Sequence, residues 1–467
     1  MVSIDHDVLF ESVEHWTCVF RGGGIQQVNH QQRSTTFGLT TLICVVIASM
    51  IGSGVFTTSG FSIASLGSPS RVLIAWLIGG GIAVCGAVSY GVLARLMPQS
   101  GGEYLYLSRQ LHPAAGFIAG WVSLTAGFTS AIALTAMTFE TYAIPDRPAW
   151  LPENVAAIGL ILAFGVGHSW FVEMTTRIQN AVVILKVGAL ILFLGWVVIV
   201  IRSHGWHWAP LPDAPVKWDK IAVEMAKAVM WISLSYAGFN AAIYVGSEVP
   251  NGERVIPNAL LMGTLIVTVL YLALNTVFVA AVPAREIAGQ PDVAAIAARA
   301  VGGVSLERLI RGTIAVATLT SVAGMVMTGP RVYAQMANDG VFPSFFAAEK
   351  GVMHRSILMQ AFLAAGVVLV SDLHQLLNYM GTTLSISSAL AVSTLIPFGS
   401  DVFVRGGIRP GLQSVIRTAA ACYVGATTLA VVLMLSENSA NIQGAFWTIF
   451  SGLLLWIAIR RIGGIRQ

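Results

Sequence analysis

Lys186 is the one charge inside a long apolar run of this sequence, Ile178–Ile201. If the run crosses a membrane, an ammonium group there costs roughly 3 kcal/mol or more, so it is expected to face a helix bundle and to have polar partners. Lys186 lies about eight residues inside the run, or roughly 12 Å of helix, which disfavours the alternative of extension to the membrane surface. No Asp, Glu or His is predicted deep in another run, so its expected partners are carbonyls and hydroxyls.

Two segments interrupt other apolar runs with residues that disfavour a continuous helix. Ile51–Gly54 lies in the middle of one run, and Ser235–Asn240 lies near the middle of the run five places further along. Glycine is a poor helix former, although glycines that only allow close packing would explain either segment alone. Their corresponding positions in two sets of five runs favour broken helices, which are typical of transporter binding sites.

Broken helices would give these segments a definite chemistry. Backbone N–H and C=O groups freed within a membrane persist only where they line a cavity or meet a ligand. The helix beginning after Gly52 would direct N–H groups and a positive dipole end towards a carboxylate, and the helix ending near Tyr236 would offer carbonyls to an ammonium group. An α-amino acid is the simplest ligand with both groups.

The composition of the 467-residue chain requires a lipid environment for such elements. Hydrophobic residues make up 55% and charged residues 10%, and the mean hydropathy is +0.75. A soluble protein carries about 25% charged residues, so the composition excludes a soluble enzyme, a nucleic-acid-binding protein and a secreted disulfide scaffold.

Twelve charge-poor runs are long enough to be considered as membrane-spanning helices, and they are too long and too uniformly apolar for the strands of a β-barrel. They are Phe37–Leu66, Val72–Ala94, Ala114–Phe139, Asn154–Val172, Ile178–Ile201, Ala228–Ser247, Val255–Val282, Gly312–Gly329, Ser356–Val370, Leu373–Ser400, Ser414–Leu435 and Ile442–Ile459. The fold class predicted is therefore an all-α polytopic membrane protein with twelve transmembrane helices, of which the first and sixth are discontinuous.

Charge distribution predicts the orientation of these helices. With both termini cytoplasmic, the inner segments carry 15 Lys and Arg residues and the outer loops carry 9, as the positive-inside rule requires. Residues 1–36 are polar, contain no apolar signal-peptide core and are predicted to be a cytoplasmic tail. The predicted location is the cytoplasmic membrane.

Residues that could bind a metal or catalyse a reaction are sparse. The four cysteines have no metal-ligand spacing and are interpreted as small apolar residues. The nine histidines fall in tails, loops or the ends of runs, and no nucleophile–base pair is recognisable. We therefore predict no metal, no cofactor and no enzymatic activity.

Five motifs resemble those of the amino acid permeases in the amino acid–polyamine–organocation superfamily, nearest to the bacterial and L-type members. Each occurs at its expected span: Ile51–Phe56, Pro98–Tyr104, Arg177–Asn180 followed by Lys186, Glu248–Asn251 followed by Arg254 and Pro257, and Ala337–Pro343. The resemblance implies a five-plus-five inverted-repeat core over residues 37–400, with repeats at 37–201 and 221–400. Residues 401–467 would form helices eleven and twelve and a cytoplasmic C-terminus.

The resemblance also implies roles for individual residues. Ser53 and Gly54 would hold the substrate carboxylate, and carbonyls of Met50, Leu234 and Ala237 would receive the amine. Lys186, with Ser321 as hydroxyl partner, would take the place of the cation of sodium-driven relatives and couple transport. The full substrate-binding set is Met50, Ile51, Gly52, Ser53, Gly54, Leu234, Tyr236, Ala237, Gly238, Phe239 and Asn240.

Departures from the family pattern affect specificity. Leu234 replaces a common aromatic gate, Phe239 replaces a tryptophan, and Arg95 stands where an acidic residue is common. Asn240 resembles the L-type members and favours neutral amino acids. No acidic residue is expected to face the pocket, which disfavours a specialist carrier of cationic substrates.

The predicted function is sodium-independent secondary transport of amino acids by alternating access, as proton symport or as exchange. The expected partners are an amino acid, the lipid bilayer and, for symport, protons; no nucleic acid and no partner subunit are expected. A polyamine or organocation carrier of the same fold is the alternative, and a transporter-like amino acid sensor is a weaker one.

Recognition of a zwitterion by two backbone sites predicts strict requirements on the ligand. A site built to hydrogen-bond a group rejects analogues that lack it, because its own polar atoms stay buried and unpaired. Decarboxylated amines and N-acetylated amino acids should not compete with labelled amino acids for uptake. Strong competition by cadaverine would contradict the amino acid prediction and favour the polyamine carrier.

Overall fold

A computed structural model describes residues 38–99, 101–170, 175–214, 217–347, 353–397, 403, 408–435 and 439–463. The predicted tail at 1–36 lies outside these ranges. The described part of the chain is helical and contains no strand. Within these ranges, fifteen α-helices follow in chain order: α1 Leu39–Met50, α2 Gly54–Leu66, α3 Pro69–Leu96, α4 Gly102–Gln110, α5 Pro113–Ala143, α6 Val155–Trp170, α7 Thr175–His204, α8 Trp218–Ser235, α9 Gly252–Ala280, α10 Ala284–Ile287, α11 Val293–Asn338, α12 His354–Val370, α13 Leu373–Ser393, α14 Pro410–Leu435 and α15 Ser439–Gly463.

Eight helical stretches in the described residues are long and apolar enough to cross a membrane. They are Leu39–Leu66, Pro69–Leu96, Pro113–Ala143, Trp218–Gly246, Gly252–Ala280, Val293–Asn338, Pro410–Leu433 and Gln443–Arg461. Large apolar side chains on their outer faces and on α7 are exposed, for example Leu192 and Val269. The chain is therefore a polytopic membrane protein.

The other four predicted runs also coincide with helices, but these helices give weaker evidence of crossing a membrane. In the described residues, the apolar stretches of α6, α7 and α12 span 14–17 residues, Val155–His168, Ile184–Val200 and His354–Val370. α13 is absent from the spanning set because hydroxyl and amide residues such as Asn378, Thr382 and Ser388 lower its hydropathy. The total of twelve transmembrane helices thus stays a prediction.

The first predicted interruption separates α1 from α2. α1 ends at Met50, and the Gly52 N–H donates to the Met50 carbonyl at 2.8 Å. With φ −75° and ψ 77° at Ile51, this is an inverse γ-turn, which reverses the direction of the carbonyl groups over three residues. α2 then begins at Gly54.

The second interruption follows α8. This helix ends at Ser235, and a 3₁₀ helix continues over Ala237–Glu248. Runs of 3₁₀ helix beyond three or four residues are uncommon because the hydrogen-bond geometry is poor, so twelve residues of it mark a place under functional or packing constraint.

Two further irregularities affect the shape of the bundle. The central part of α5, Ser123–Ser130, is a π-helix, a form that is rare and frequent at functional sites. α11 is broken at Gly302 and Gly303, where Gly303 has φ +68°, so its last part after the break runs separately through the bundle.

Close packing joins the two interruptions. A Cβ atom on Gly238 would lie 2.3 Å from the backbone carbon of Ser49 in α1, and one on Gly54 would lie 2.4 Å from Ser235 Oγ in α8. The broken spans thus touch each other at glycines. The packing role and the helix-breaking role of these glycines, considered as alternatives from the sequence, coexist in the structure.

Gly238 and Gly81 provide a test of this contact. Gly238→Ala would force a methyl group against the α1 backbone, and overpacking costs about 1–3 kcal/mol, so the unfolding temperature of the purified protein should fall. Gly81→Ala, with no atom within 4 Å of the new Cβ, is the control and should not lower that temperature, since alanine favours the helix interior. Equal stability of the two variants would show that the spans do not touch at Gly238.

Candidate functional site

A cavity of about 340 Å³ opens between the two interruptions, a volume typical of small-molecule sites. Its walls come from α1, α2, α3, α4, α5, α7, α8, the 3₁₀ helix, α11, α13 and α14. Twelve of the predicted site residues line it: Met50, Gly52, Ser53, Gly54, Lys186, Leu234, Tyr236, Ala237, Gly238, Phe239, Asn240 and Ser321. Ile51 is fully buried and does not line it, but its carbonyl binds Lys186.

The hydroxyl group of Tyr271 connects the two interruptions. It donates to the Met50 carbonyl at 2.5 Å and lies 3.1 Å from the Ser235 carbonyl, so one side chain of α9 serves the last residues of both α1 and α8. Its ring packs edge-to-face against Trp76 and Tyr236, with centroids 5.4 and 5.1 Å away. Aromatic packing therefore fixes the hydroxyl between the two helix ends.

These hydrogen bonds affect the carbonyls predicted to receive a substrate amine. A carbonyl oxygen has two lone pairs, and at Met50 both are used, one by Gly52 N–H and one by Tyr271. The Leu234 carbonyl only shares the Tyr236 N–H with the Ser233 carbonyl. In this conformation the Leu234 carbonyl is thus a better acceptor for an amine than the Met50 carbonyl. The difference depends on the γ-turn and on Tyr271, which is distant in sequence.

Lys186 reaches the first interruption from α7. Its side chain is 2% exposed, and Nζ donates to the carbonyls of Ala48 at 3.2 Å and Ile51 at 3.0 Å. Ser321 Oγ of α11 also donates to the Ile51 carbonyl, at 3.3 Å. Lys186 and Ser321 therefore meet at one shared acceptor on α1, and the recorded partners of the ammonium group are carbonyls rather than carboxylates.

Hydroxyl groups from α5 and α2 complete this side of the cavity. Ser53 Oγ lies 3.4 Å from Thr135 Oγ1 of α5, next to the π-helix. Thr57 donates to the Ser53 carbonyl at 3.2 Å within the first turn of α2. The start of α2 therefore presents hydroxyls together with the N–H groups that a first helical turn leaves without intrahelical partners.

Glu103 corrects the expectation that no acidic residue faces the pocket. It is 7% exposed, lines the cavity, and accepts hydrogen bonds from Tyr90 OH and, at 3.4 Å, from Ser387 Oγ. The sequence placed it in a loop motif, but that motif forms the first turn of α4, which is buried from Gly102 to Leu107. The apolar and aromatic residues that follow Glu103 were the available signal of this burial. Arg331 of α11 also lines the cavity.

Comparison with known proteins identifies the family. The amino acid permease family model matches residues 37–459. The large neutral amino acids transporter small subunit 2 of Homo sapiens is 27% identical over 354 residues, 74% of this chain and 66% of the relative. The Asc-type amino acid transporter 1 of Mus musculus is 25% identical over 352 residues, 73% of this chain and 66% of the relative. The cystine/glutamate transporter of Pongo abelii is 26% identical over 366 residues, which cover 76% of this chain and 72% of the relative.

The chain belongs to the amino acid permease family, a family of membrane transporters and not of enzymes. This confirms the resemblance based on the five motifs. The match spans just under two thirds of the length of the first two relatives.

Removal of the Tyr271 hydroxyl should weaken the connection between the two helix ends. In Tyr271→Phe the Met50 and Ser235 carbonyls lose a buried donor, a loss that costs about 1–3 kcal/mol. The unfolding temperature and the initial rate of amino acid uptake should both fall, the rate by about tenfold if about 1.4 kcal/mol is lost from the active conformation. Tyr379→Phe, which removes a hydroxyl bonded to Thr448 away from the cavity, is the matched control. Equal uptake by the two variants would contradict the role given to Tyr271.

Proposed function

We propose that this protein transports amino acids across the cytoplasmic membrane by alternating access. The observation that supports this most directly is that both interrupted spans open onto one cavity of about 340 Å³. The membership of the permease family and the names of the relatives, which are all amino acid transporters, agree with it.

The proposed substrate is a neutral α-amino acid. The first turn of α2 would bind the carboxylate through Ser53, Gly54 and free N–H groups, and carbonyls of Leu234 and Ala237 would bind the amine. Asn240, the residue from which the sequence analysis favoured neutral amino acids, lines the same cavity. Two of the relatives are named for neutral or Asc-type amino acids, which supports the same class.

The described conformation supports an inward-facing state. The cavity lies on the side of the interruptions where α1 begins and α11 ends, since its wall includes Val45 and Arg331. On the other side, the rings of Phe56, Tyr142 and Phe278 pack together, and Tyr142 OH donates to the Phe56 carbonyl at 2.8 Å. With both termini cytoplasmic, as proposed, the cavity would face the cytoplasm.

The twelve-helix, five-plus-five arrangement belongs to this proposal. Repeats at 37–201 and 221–400 would give α1 and α8 equivalent positions, in agreement with the interruption of both spans. Rocking of one repeat against the other would then expose the cavity alternately to the two sides of the membrane. No partner subunit is proposed.

Lys186 is the proposed substitute for a coupling sodium ion. The Ala48 and Ile51 carbonyls converge on its ammonium group, and Ser321 reaches the same site from α11. A protein cation in this position makes a sodium ion unnecessary. Proton symport would require Lys186 to lose and regain a proton, whereas exchange would require only a permanent charge.

Uptake into proteoliposomes tests this assignment. Lys186→Ala removes the bridge between α1 and α7 and should reduce amino acid uptake by at least about tenfold, because breaking a buried charge site costs several kcal/mol. Lys227→Ala, which removes a lysine paired with Glu224, is the control and should retain uptake. Replacement of sodium by choline should have no effect on the wild type.

A pH gradient separates the two coupling modes. Acid outside should drive accumulation of the amino acid in a symporter and should have no such effect in an exchanger. Wild-type uptake by Lys186→Ala, or a requirement for sodium, would contradict the proposed role of Lys186. Failure of the wild type to transport any of the twenty amino acids, by net uptake or by exchange, would contradict the proposed function.

A further inference from the structure

Glu103 is a buried acid in the same cavity as Lys186, and the proposed function gives it no role. It lies in the first turn of α4, between the second and third predicted spans, and only 7% of it is exposed. Because it lines the cavity, protons and water that enter from the open side can reach its carboxyl group. This position differs from those of the backbone sites at the two helix interruptions.

Within the part of the chain that the structure describes, the surroundings of Glu103 offer hydroxyl groups and no ion-paired cation. Tyr90 OH of α3 donates to Oε1, and Ser387 Oγ of α13 donates to Oε2 at 3.4 Å. In the described residues, no Lys, Arg or His forms an ion pair with it. The titratable groups near it are phenols: Tyr106 of α4, Tyr244 of the 3₁₀ helix and Tyr423 of α14, besides Tyr90.

The charge state of this carboxyl group has a physical consequence. An ionised carboxylate out of water is costly unless a cation or several hydrogen bonds compensate. Burial raises the pKa of Glu103 above its ordinary value, and the hydrogen bonds from Tyr90 and Ser387 oppose this only in part. The group therefore holds a proton at higher pH than an exposed glutamate and loses it as the pH rises through the raised pKa.

A chain of contacts connects Glu103 with the second interruption. A Cβ atom on Gly102, the neighbour of Glu103, would lie 2.4 Å from the Tyr244 ring, so the first turn of α4 packs directly on the 3₁₀ helix. Tyr244 itself lines the cavity, together with Asn240, which lies about one turn earlier in the same 3₁₀ helix. A change of charge at Glu103 thus acts on the segment proposed to bind the substrate amine.

We propose that Glu103 is a proton-binding site that couples amino acid transport to proton movement. The carboxylate takes up one proton from water while the cavity is open to the outside and releases it to water once the cavity is open to the cytoplasm, so that the carboxylate is regenerated in each cycle. Lys186 and Arg331 are the other charged side chains that line the cavity in the described part of the chain. This inference rests on the proposed function, and it selects proton symport from the two coupling modes.

Glu103→Gln tests the inference because it keeps the shape of the side chain and removes the titration. Proteoliposomes with acid outside would be supplied with labelled leucine, alanine or serine. We expect pH-driven accumulation to fall by at least about tenfold, a loss corresponding to about one pH unit of driving force. Exchange of external labelled amino acid against the same amino acid preloaded inside should continue, because this step needs no net proton movement.

Tyr90→Phe supplies a second measurement that a purely structural role would not affect. It removes one hydrogen bond to the carboxylate, which should raise the pKa of Glu103 further and move the pH profile of uptake to higher pH by about one unit. Tyr379→Phe, a phenol bonded to Thr448 outside the cavity, should leave the profile in place.

Four results would overturn the inference. The first is wild-type accumulation by Glu103→Gln under the acid gradient. The second is loss of both accumulation and exchange in Glu103→Gln together with an unchanged pH profile in Tyr90→Phe. The third is a wild type that exchanges amino acids but accumulates none under the gradient, and this result would leave the proposed transport function intact. A change in competition by lysine or arginine alone would assign Glu103 to substrate cations instead.

Discussion

Backbone carbonyl groups at a helix end within a membrane need donors that the lipid cannot supply. At the ends of α1 and α8, the carbonyls of Met50 and Ser235 are both within reach of one hydroxyl, that of Tyr271. Trp76 and Tyr236 hold its ring, and Trp76 is itself fixed by a hydrogen bond to Ser59 at 2.8 Å. The interruption of two spans next to each other is possible because this buried cluster replaces the water that the helix ends would otherwise require.

The same requirement explains the position of Lys186. The inverse γ-turn at Ile51 redirects carbonyl groups of α1, and those of Ala48 and Ile51 accept from the ammonium group. The lysine thereby provides donors for the broken helix, while the carbonyls solvate its charge. Ser321 adds a contact from α11 to the Ile51 carbonyl, so elements from both predicted repeats depend on one turn of three residues.

The sequence predicted the interruptions and the carbonyl partners of Lys186 because both follow from local rules: glycine in a long apolar run and a lone charge in lipid. The Ser321 hydroxyl, predicted as a partner of Lys186, instead shares the Ile51 carbonyl with it. Tyr271 was not predicted, since nothing in the pattern around it distinguishes a structural tyrosine from an ordinary one. Glu103 was misjudged because the sequence assigns its motif to a loop, and only tertiary packing brings α4 into the bundle. The polarity of α13 likewise has a tertiary cause, since Ser385 and Ser388 line the cavity.

A neutral amino acid crosses the membrane as a zwitterion with no net charge, so its own charge provides no coupling to an electrical or proton gradient. In the proposed proton symport, coupling would therefore come from groups of the protein that change charge during the cycle. The cavity contains a buried amine at the first interruption and a buried acid on the turn that packs against the second. Carbonyls stabilise the charged form of Lys186, whereas burial among hydroxyl groups favours the neutral form of Glu103. Of the two, Glu103 lies on the turn that packs directly against the 3₁₀ helix of the second interruption, the segment that moves in the proposed cycle.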